Sequence, residues 1–161
     1  MKILVTGGAG FIGSALIRYI IEEQEDKVFN VDKLSYAVHP YALATVSANP
    51  RYQFKKLDIC DETALSLAFE KFQPDAVIHL AAETHVDRSL SGADAFMQSN
   101  YIGTFKLLEV TRHYWQRLSE TKRQQFRFLH VSPDEVYGDL PHPDDDPQAH
   151  YLRFKENSPL A

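Results

Sequence analysis

The sequence has little of what stabilises or anchors a chain other than a hydrophobic core. Cys60 is the only cysteine among 161 residues, which excludes an internal disulfide framework and a multi-cysteine metal site. No apolar run approaches the roughly 20 residues that a membrane-spanning helix needs. Lysine and arginine number 17 against 22 acidic residues, so the net charge is -5, and they form no basic cluster. This balance argues against nucleic acid or an anionic membrane surface as the main partner.

What remains is the composition of an ordinary soluble globular protein, with 44% hydrophobic and 24% charged residues. A chain of this length predicts one domain that buries a core without disulfides. Its first apolar segment, residues 3–5, is much shorter than the hydrophobic part of a secretory signal, so we expect a cytoplasmic protein. None of the 7 histidines has metal-ligand spacing, and no metal site is expected.

Apolar stretches of strand length alternate with stretches of helical period, a pattern typical of α/β proteins with a parallel sheet. The predicted strands are residues 3–5, 28–32, 52–57, 76–80 and 126–131. Helices are predicted after the first strand, after Asp61 as an N-cap, and over about 93–118. Residues 141–161 begin with a polar, proline-rich run that is predicted as a surface loop, and the rest of this segment lacks a firm period.

A glycine motif separates the first strand from its helix. Gly7, Gly10 and Gly13 have the spacing G-x-x-G-x-x-G. The first glycine allows a tight turn, the second lets backbone N–H groups approach a pyrophosphate, and the third lets helix and strand pack closely. Asp32 ends the second strand about 20 residues further on, where a carboxylate bonds the adenosine ribose hydroxyls and repels a 2′-phosphate. The residues therefore predict a Rossmann-like, doubly wound parallel sheet over residues 1–140 that binds NAD in preference to NADP.

Two more strand ends should meet at the same crevice, because ligands of open parallel sheets bind beyond the carboxyl ends of the strands. Asp58 and Ile59 follow the third strand, and Asp58 would accept a hydrogen bond from an adenine amino group. Ala81 and Ala82 follow the fourth strand, and their small side chains would let the nicotinamide ribose lie against the backbone. Taken alone, the two alanines indicate no more than tight packing.

Six segments of the chain carry a resemblance to a known family. They are residues 7–13, 32–37, 58–61, 79–89, 100–104 and 134–138. Together they closely resemble the dTDP-glucose 4,6-dehydratase family, a group of extended short-chain dehydrogenases/reductases. The glycine motif is shared by many reductases, whereas Ala-Ala-Glu-x-His-Val-Asp-Arg-Ser with Asp-Glu-Val-Tyr-Gly is specific to nucleotide-sugar dehydratases. The resemblance covers nearly the whole chain and implies an NAD-dependent lyase that acts on a dTDP-hexose.

The resemblance also implies that Asp134 and Glu135 are a catalytic acid–base pair. Once NAD has oxidised the sugar at C4, Glu135 would take the C5 proton and Asp134 would protonate the leaving C6 hydroxyl, on the way to a 4-keto-6-deoxy sugar. Adjacent carboxyl groups hold opposite roles when burial raises one pKa and hydrogen bonds lower the other. Their position after the fifth strand favours this role over that of solvated loop charges.

By the same resemblance, Phe11 and Ile12 cover the pyrophosphate, and Thr84, His85 and Arg88 contact the substrate. The implied cofactor-binding residues are Gly7, Gly10, Phe11, Ile12, Gly13, Asp32, Lys33, Leu34, Ser35, Asp58, Ile59, Leu80, Ala81, Ala82, Glu83, Thr84 and Ser99.

Two departures from the family pattern matter. Pro133 stands where the family has a threonine whose hydroxyl bonds the C4 oxygen of the sugar, so that hydrogen bond is absent. The oxidation step also needs a Tyr-x-x-x-Lys pair on the helix that follows the fifth strand. Tyr151 and Lys155 have this spacing, but the segment 154–161 resembles the stretch that leads into that helix, so we interpret the match as chance. The pair itself and the substrate domain are expected beyond residue 161.

The sequence leaves three functions open. The first is a dTDP-glucose 4,6-dehydratase or its cofactor-binding part, inactive as these 161 residues alone. The second is a non-catalytic NAD-binding remnant or regulatory module, which Pro133 favours. The third is another nucleotide-sugar dehydratase or an epimerase, although an epimerase does not need Asp134 and Glu135. In the family the helix predicted over 93–118 contributes to a dimer interface, which implies a homodimer through it.

Overall fold

The structure is a computed structural model that describes residues 1–35, 38, 41–84, 93–142, 144 and 148–160, with only the backbone for Asp134 and His150. The chain forms two compact units, Met1–Val131 and Ser132–Ala161. The predicted boundary at residue 140, between the cofactor-binding domain and the segment that follows it, stays a prediction.

The described part of the first unit is built on a five-stranded parallel sheet. Its strands are β1 (Lys2–Thr6), β2 (Lys27–Asp32), β3 (Tyr52–Lys56), β4 (Ala76–His79) and β5 (Arg127–His130), in the spatial order β3-β2-β1-β4-β5. Strand β1 lies at the centre, and the order runs outward from it in both directions. The loops after β1, β2 and β4 therefore open a crevice at the carboxyl edge, where open α/β sheets bind their ligands.

Helices cover both faces of this sheet. They are α1 (Phe11–Glu23), α2 (Glu62–Phe72), α3 (Ala93–Phe96), a π-helix (Met97–Gly103), α4 (Thr104–Gln116) and α5 (Glu120–Gln125). Asp61 caps α2 as predicted, because its side chain accepts a hydrogen bond from the backbone N–H of Ala64. None of the helices in the described ranges is both long and apolar enough to cross a membrane.

Successive side chains of β1 point to opposite faces and join two separate apolar layers. Leu4 packs with residues of α2 and α4, including Phe69 and Leu107. Ile3 and Val5 pack with residues of α1 and β2 on the other face. Because both faces are buried, β1 is a nearly continuous apolar run in the sequence, whereas β2 also buries the polar residues Asn30 and Asp32. The parallel sheet with helices on both faces confirms the predicted fold class.

The helix predicted over 93–118 has a more complex form than its apolar spacing indicates. A π-helix interrupts it, and Gly103 at the end of that segment would place a Cβ 2.6 Å from the Cδ1 atom of Ile59. The apolar spacing places Phe96, Gly103, Leu107, Val110 and Tyr114 on one side of this helix; the last four are buried, but Phe96 is only half-buried. A spacing of i, i+3 and i+4 cannot reveal an extra residue in one turn, because the flanking turns keep the α-helical period.

Helix α5 was not predicted, and its sequence explains why. Glu-Thr-Lys-Arg-Gln-Gln is polar all round, and none of its residues is buried, so it shows no apolar period. Its order comes from local contacts: Arg123 bonds Glu120 within the helix, while the Trp115 indole N–H donates to the carbonyl of Arg123.

The second unit has little regular structure in its described part. It holds two short 3₁₀ turns, Asp134–Tyr137 and Ala149–Tyr151, and the rings of Tyr137 and Phe154 stack with centroids 5.3 Å apart.

His79, at the end of β4, joins three elements of the first unit through its imidazole ring. Nδ1 lies 2.6 Å from the hydroxyl of Thr6 on β1, and Nε2 lies 2.9 Å from the hydroxyl of Thr104 on α4. The side chain is 1% exposed. Burial, and to a smaller extent the charge of His130 nearby, lowers the pKa of His79 from 6.5 to about 4.

We expect this buried imidazole to make stability depend on pH. Between pH 6.5 and about 4 the unfolded chain binds a proton at His79 that the folded chain does not, so the free energy of unfolding falls as the pH is lowered through this window. The loss attributable to His79 is about 3 kcal/mol and is complete below the folded pKa. Urea unfolding at several pH values measures it. His79→Gln should show a shallower dependence over the same window, and an unchanged slope would contradict the assignment.

Candidate active site

A crevice lies at the carboxyl edge of the sheet, within the first unit. It encloses about 520 Å³, part of it continuous with solvent. Its walls are the segments that follow β1, β2, β3 and β4, together with one residue of the π-helix. The lining residues are Gly7, Gly10, Val31, Asp32, Lys33, Ser35, Val38, Leu57, Ile59, Leu80, Ala81, Ala82 and Ser99.

The glycine turn forms the floor of this crevice, and its Gly7 and Gly13 leave no room for a side chain. Gly7 has φ 71°, in the left-handed region, and a Cβ there would lie 2.5 Å from the backbone nitrogen of Ala81. Gly13 stands against the same turn, since its Cβ would lie 2.3 Å from the carbonyl oxygen of Gly7. The backbone of the turn thus lies as close to α1 and to the segment after β4 as the motif predicts.

Helix α1 begins at Phe11, directly after Gly10. The N–H groups of its first turn have no partner within the helix, and the helix dipole adds partial positive charge at this end. A phosphate group placed over the glycine turn would therefore meet both N–H donors and a favourable field.

Asp32 ties the turn to the end of β2. One carboxylate oxygen accepts from the backbone N–H of Ala9 at 2.9 Å, and the other accepts from the N–H of Leu34 at 2.8 Å. The second bond accompanies a left-handed Leu34, with φ 57°. A carboxylate has about four acceptor positions, so Asp32 keeps capacity for the hydroxyls of a ribose.

The segment after β4 is fixed from the π-helix and from the loop after β2. The side-chain amide of Asn100 accepts from the backbone N–H of Glu83 and donates to its carbonyl, both at 2.8 Å. The carboxylate of Glu83 pairs with the Lys33 ammonium at 3.1 Å. The sequence indicates Asn100 only as part of the segment 100–104, and its contact with Glu83 is apparent only in the tertiary structure.

The predicted cofactor-binding residues separate into those that line the crevice and those that do not. The lining members are Gly7, Gly10, Asp32, Lys33, Ser35, Ile59, Leu80, Ala81, Ala82 and Ser99. Phe11 and Ile12 point outward at the start of α1, being 92% and 62% exposed. Leu34, Asp58, Glu83 and Thr84 lie in the adjoining loops, and Gly13 lies behind the turn. His85 and Arg88 fall outside the described residues, and all the assigned roles stay predictions.

The structure adds apolar wall residues and one packing glycine to the predicted site. Val31 and Leu57 line the crevice directly before Asp32 and Asp58, and Val38 lines it in the loop after β2. Val31 and Leu57 each precede an aspartate that is predicted to bind the cofactor, so the sequence could have indicated these two residues. Gly8 would place a Cβ 2.3 Å from Oδ1 of Asn30, so it too is required by packing.

The predicted acid–base pair lies in the second unit. Asp134 and Glu135 open the 3₁₀ turn Asp134–Tyr137, directly after Pro133, and Glu135 is exposed. Tyr151 ends the other turn and is 85% exposed, and the helical geometry stops before Lys155. Tyr151 and Lys155 therefore do not share a helix, which supports the interpretation of their spacing as chance.

Two glycines of the turn offer a matched test of its packing. Gly7→Ala forces an alanine into the left-handed region and against the Ala81 backbone, so we expect the free energy of unfolding to fall by about 2 kcal/mol or more. Gly10→Ala should cost less than about 1 kcal/mol, because Gly10 has φ -75° and the nearest atom to its Cβ is 3.3 Å away. Denaturant unfolding of both variants gives the comparison. Equal losses would show that the contact with Ala81 does not constrain the turn.

Comparison with known proteins places this geometry among nucleotide-sugar enzymes. The chain is 62% identical over 140 residues to the dTDP-glucose 4,6-dehydratase of Haemophilus influenzae, a match that covers 87% of this chain and 41% of that protein. It is similar to the crystal structure of the Streptomyces venezuelae dTDP-glucose 4,6-dehydratase with NAD bound, with a TM-score of 0.77, 37% identity, and coverage of 100% of this chain and 45% of that one. The corresponding Bacillus anthracis enzyme in complex with NAD gives a TM-score of 0.76 at 32% identity, with coverage of 100% and 44%.

The chain thus spans about two fifths of the length of the curated relatives it matches. The family model described as GDP-mannose 4,6 dehydratase matches residues 4–161, nearly the whole chain. The sequence segments, the parallel sheet and the glycine-floored crevice agree with that match. The chain belongs to the GDP-mannose 4,6 dehydratase family.

Proposed function

We propose that this chain binds NAD in the crevice of its first unit and is the cofactor-binding part of a dTDP-glucose 4,6-dehydratase. The observation that carries the proposal is the Asp32 carboxylate, which is held beside the glycine turn by Ala9 and Leu34 and lines the crevice. Relatives of this name are 62% and 57% identical to the chain.

The proposed adenosine end lies at the loops after β2 and β3. Asp32 would accept from the ribose hydroxyls and repel a 2′-phosphate. Lys33, Leu34 and Ser35 would complete the ribose pocket, and Asp58 with Ile59 would hold the adenine. The pyrophosphate would lie over Gly10 and the start of α1, with Phe11 and Ile12 above it.

The proposed nicotinamide end lies on the other side of β1. Leu80, Ala81 and Ala82 would hold the nicotinamide ribose against their backbone, and Ser99 would close this end from the π-helix. When bound, NAD would supply reversible hydride transfer with the sugar. Thr84, His85 and Arg88 would contact the substrate.

The proposed elimination belongs to Asp134 and Glu135. Glu135 would remove the proton from C5 of the sugar, and Asp134 would give a proton to the leaving C6 hydroxyl, so that one water molecule departs. An epimerase has no step that needs such a pair. This difference supports a dehydratase over the other nucleotide-sugar enzymes of similar fold.

The cellular location and the oligomeric state of the protein complete the proposal. We infer a cytoplasmic protein, which agrees with a single, unpaired Cys60 suited to a reducing compartment. We also infer a homodimer through residues 93–118. Exposed apolar side chains follow one another at helical spacing along this segment, namely Met97, Tyr101, Phe105 and Leu108.

NAD binding is tested directly with the 161-residue chain. NADH fluorescence should titrate to saturation, and Asp32→Asn should weaken binding about tenfold, because a hydrogen bond to a charged group is lost. Asp75→Asn is the matched control: that carboxylate also accepts a backbone N–H bond, from Lys2, at the opposite edge of the sheet. Failure of the unaltered chain to bind, or equal weakening by both variants, would contradict the proposed site.

The dehydratase reaction is tested in a chimera in which residues 1–161 replace the matching part of the Haemophilus influenzae enzyme. Formation of 4-keto-6-deoxy sugar from dTDP-glucose is expected. Glu135→Gln should lower kcat by about 10²–10⁴-fold, whereas Glu156→Gln, an exposed carboxylate of the same unit, should not. The 161-residue chain alone should give no product.

Pro133 supports a second candidate, an NAD-binding module without catalysis. A proline at this position provides no hydroxyl for the sugar. In that case the chimera would bind NADH yet stay inactive, and Pro133→Thr would restore turnover. An active chimera with the proline in place would exclude this candidate.

A further inference from the structure

Lys33 and Glu83 form an ion pair that spans the central strand at the carboxyl edge of the sheet. Lys33 follows β2 and Glu83 follows β4, and β1 lies between those strands. The Nζ and Oε1 atoms are 3.1 Å apart. The pair therefore joins the two walls of the crevice at the level of the glycine turn.

The acidic partner is the more tightly fixed of the two. Glu83 is 8% exposed, and its backbone N–H and carbonyl are both bonded by the amide of Asn100. The Lys33 side chain is 33% exposed. Because a buried carboxylate needs a cation or several donors to offset its desolvation, Glu83 holds the ammonium where it is rather than the reverse.

The position of Lys33 gives this pairing a consequence for ligand choice. Lys33 lines the crevice and follows Asp32 directly, at the point where a dinucleotide site meets the 2′ position of the adenosine ribose. A basic residue near that point is how such sites accept a 2′-phosphate. Here the charge of Lys33 is already neutralised by a fixed carboxylate.

We propose that Glu83 is a specificity-determining residue of the dinucleotide site, which excludes NADP by holding the Lys33 ammonium away from a 2′-phosphate. This inference rests on the proposed NAD site. Asp32 opposes the phosphate by direct repulsion. Glu83 acts through Lys33, by neutralising a neighbouring positive charge that would offset that repulsion.

The test compares the dissociation constants of NADH and NADPH for the 161-residue chain and three variants. Glu83→Gln keeps the main-chain bonds to Asn100 and frees Lys33, so the ratio of the NADPH to the NADH constant should fall about tenfold. Lys33→Met should not lower this ratio. In the double variant, Lys33→Met with Glu83→Gln, the tenfold fall should disappear, since no ammonium is left to be freed.

Several outcomes would overturn the proposal. They are an unchanged ratio in Glu83→Gln, an equal gain for both dinucleotides, and the same fall in the double variant. Circular dichroism checks that each variant is folded. If Glu83→Gln does not fold, Glu83→Asp replaces it: the shorter side chain withdraws the carboxylate from Lys33, and the ratio should fall by a smaller factor. If the unaltered chain binds neither dinucleotide, the proposed NAD site fails, which is a separate result from an unchanged ratio.

Discussion

The crevice depends on how closely the turn after β1 approaches the segments on either side of it. Gly7 contacts the backbone of Ala81 on the β4 side and donates its N–H to the carbonyl of Val31 on the β2 side. No residue with a Cβ fits between these two segments without a shift of the backbone. The glycine turn is therefore the point at which the three loops are held together, and the other walls of the crevice are arranged around it.

The polar contacts extend this arrangement outward. Asp32 bonds the turn through Ala9 and its own loop through Leu34, while Asn100 bonds the main chain of Glu83. The bonds of Asp32 to Ala9 and of Asn100 to Glu83 each join a side chain of one segment to a backbone group of another. Such contacts position the loops before any ligand arrives, which lowers the entropy that a dinucleotide would lose on binding.

His79 shows how the same edge is stabilised from within. Its ring bridges Thr6 and Thr104, and it remains neutral because burial opposes its charge. A neutral, hydrogen-bonded imidazole thus links β1, β4 and α4 at the edge of the sheet that carries the crevice. The charged groups Asp32 and Lys33 line the crevice itself, where Asp32 accepts two backbone N–H groups and Lys33 pairs with Glu83.

The amino-acid sequence by itself determined the strands, the amphipathic helices, the cap at Asp61 and the glycine motif with Asp32, because these features depend on local spacing and on residue chemistry. It did not show the π-helix at Met97–Gly103, because the flanking turns keep the α-helical period. It did not show helix α5 either, because that helix is polar all round and has no apolar period. Only the tertiary structure decided which residues meet across the sheet. The contacts of Lys33 with Glu83 and of Asn100 with Glu83 join residues from different loops, and their distances follow from strand order rather than from sequence separation.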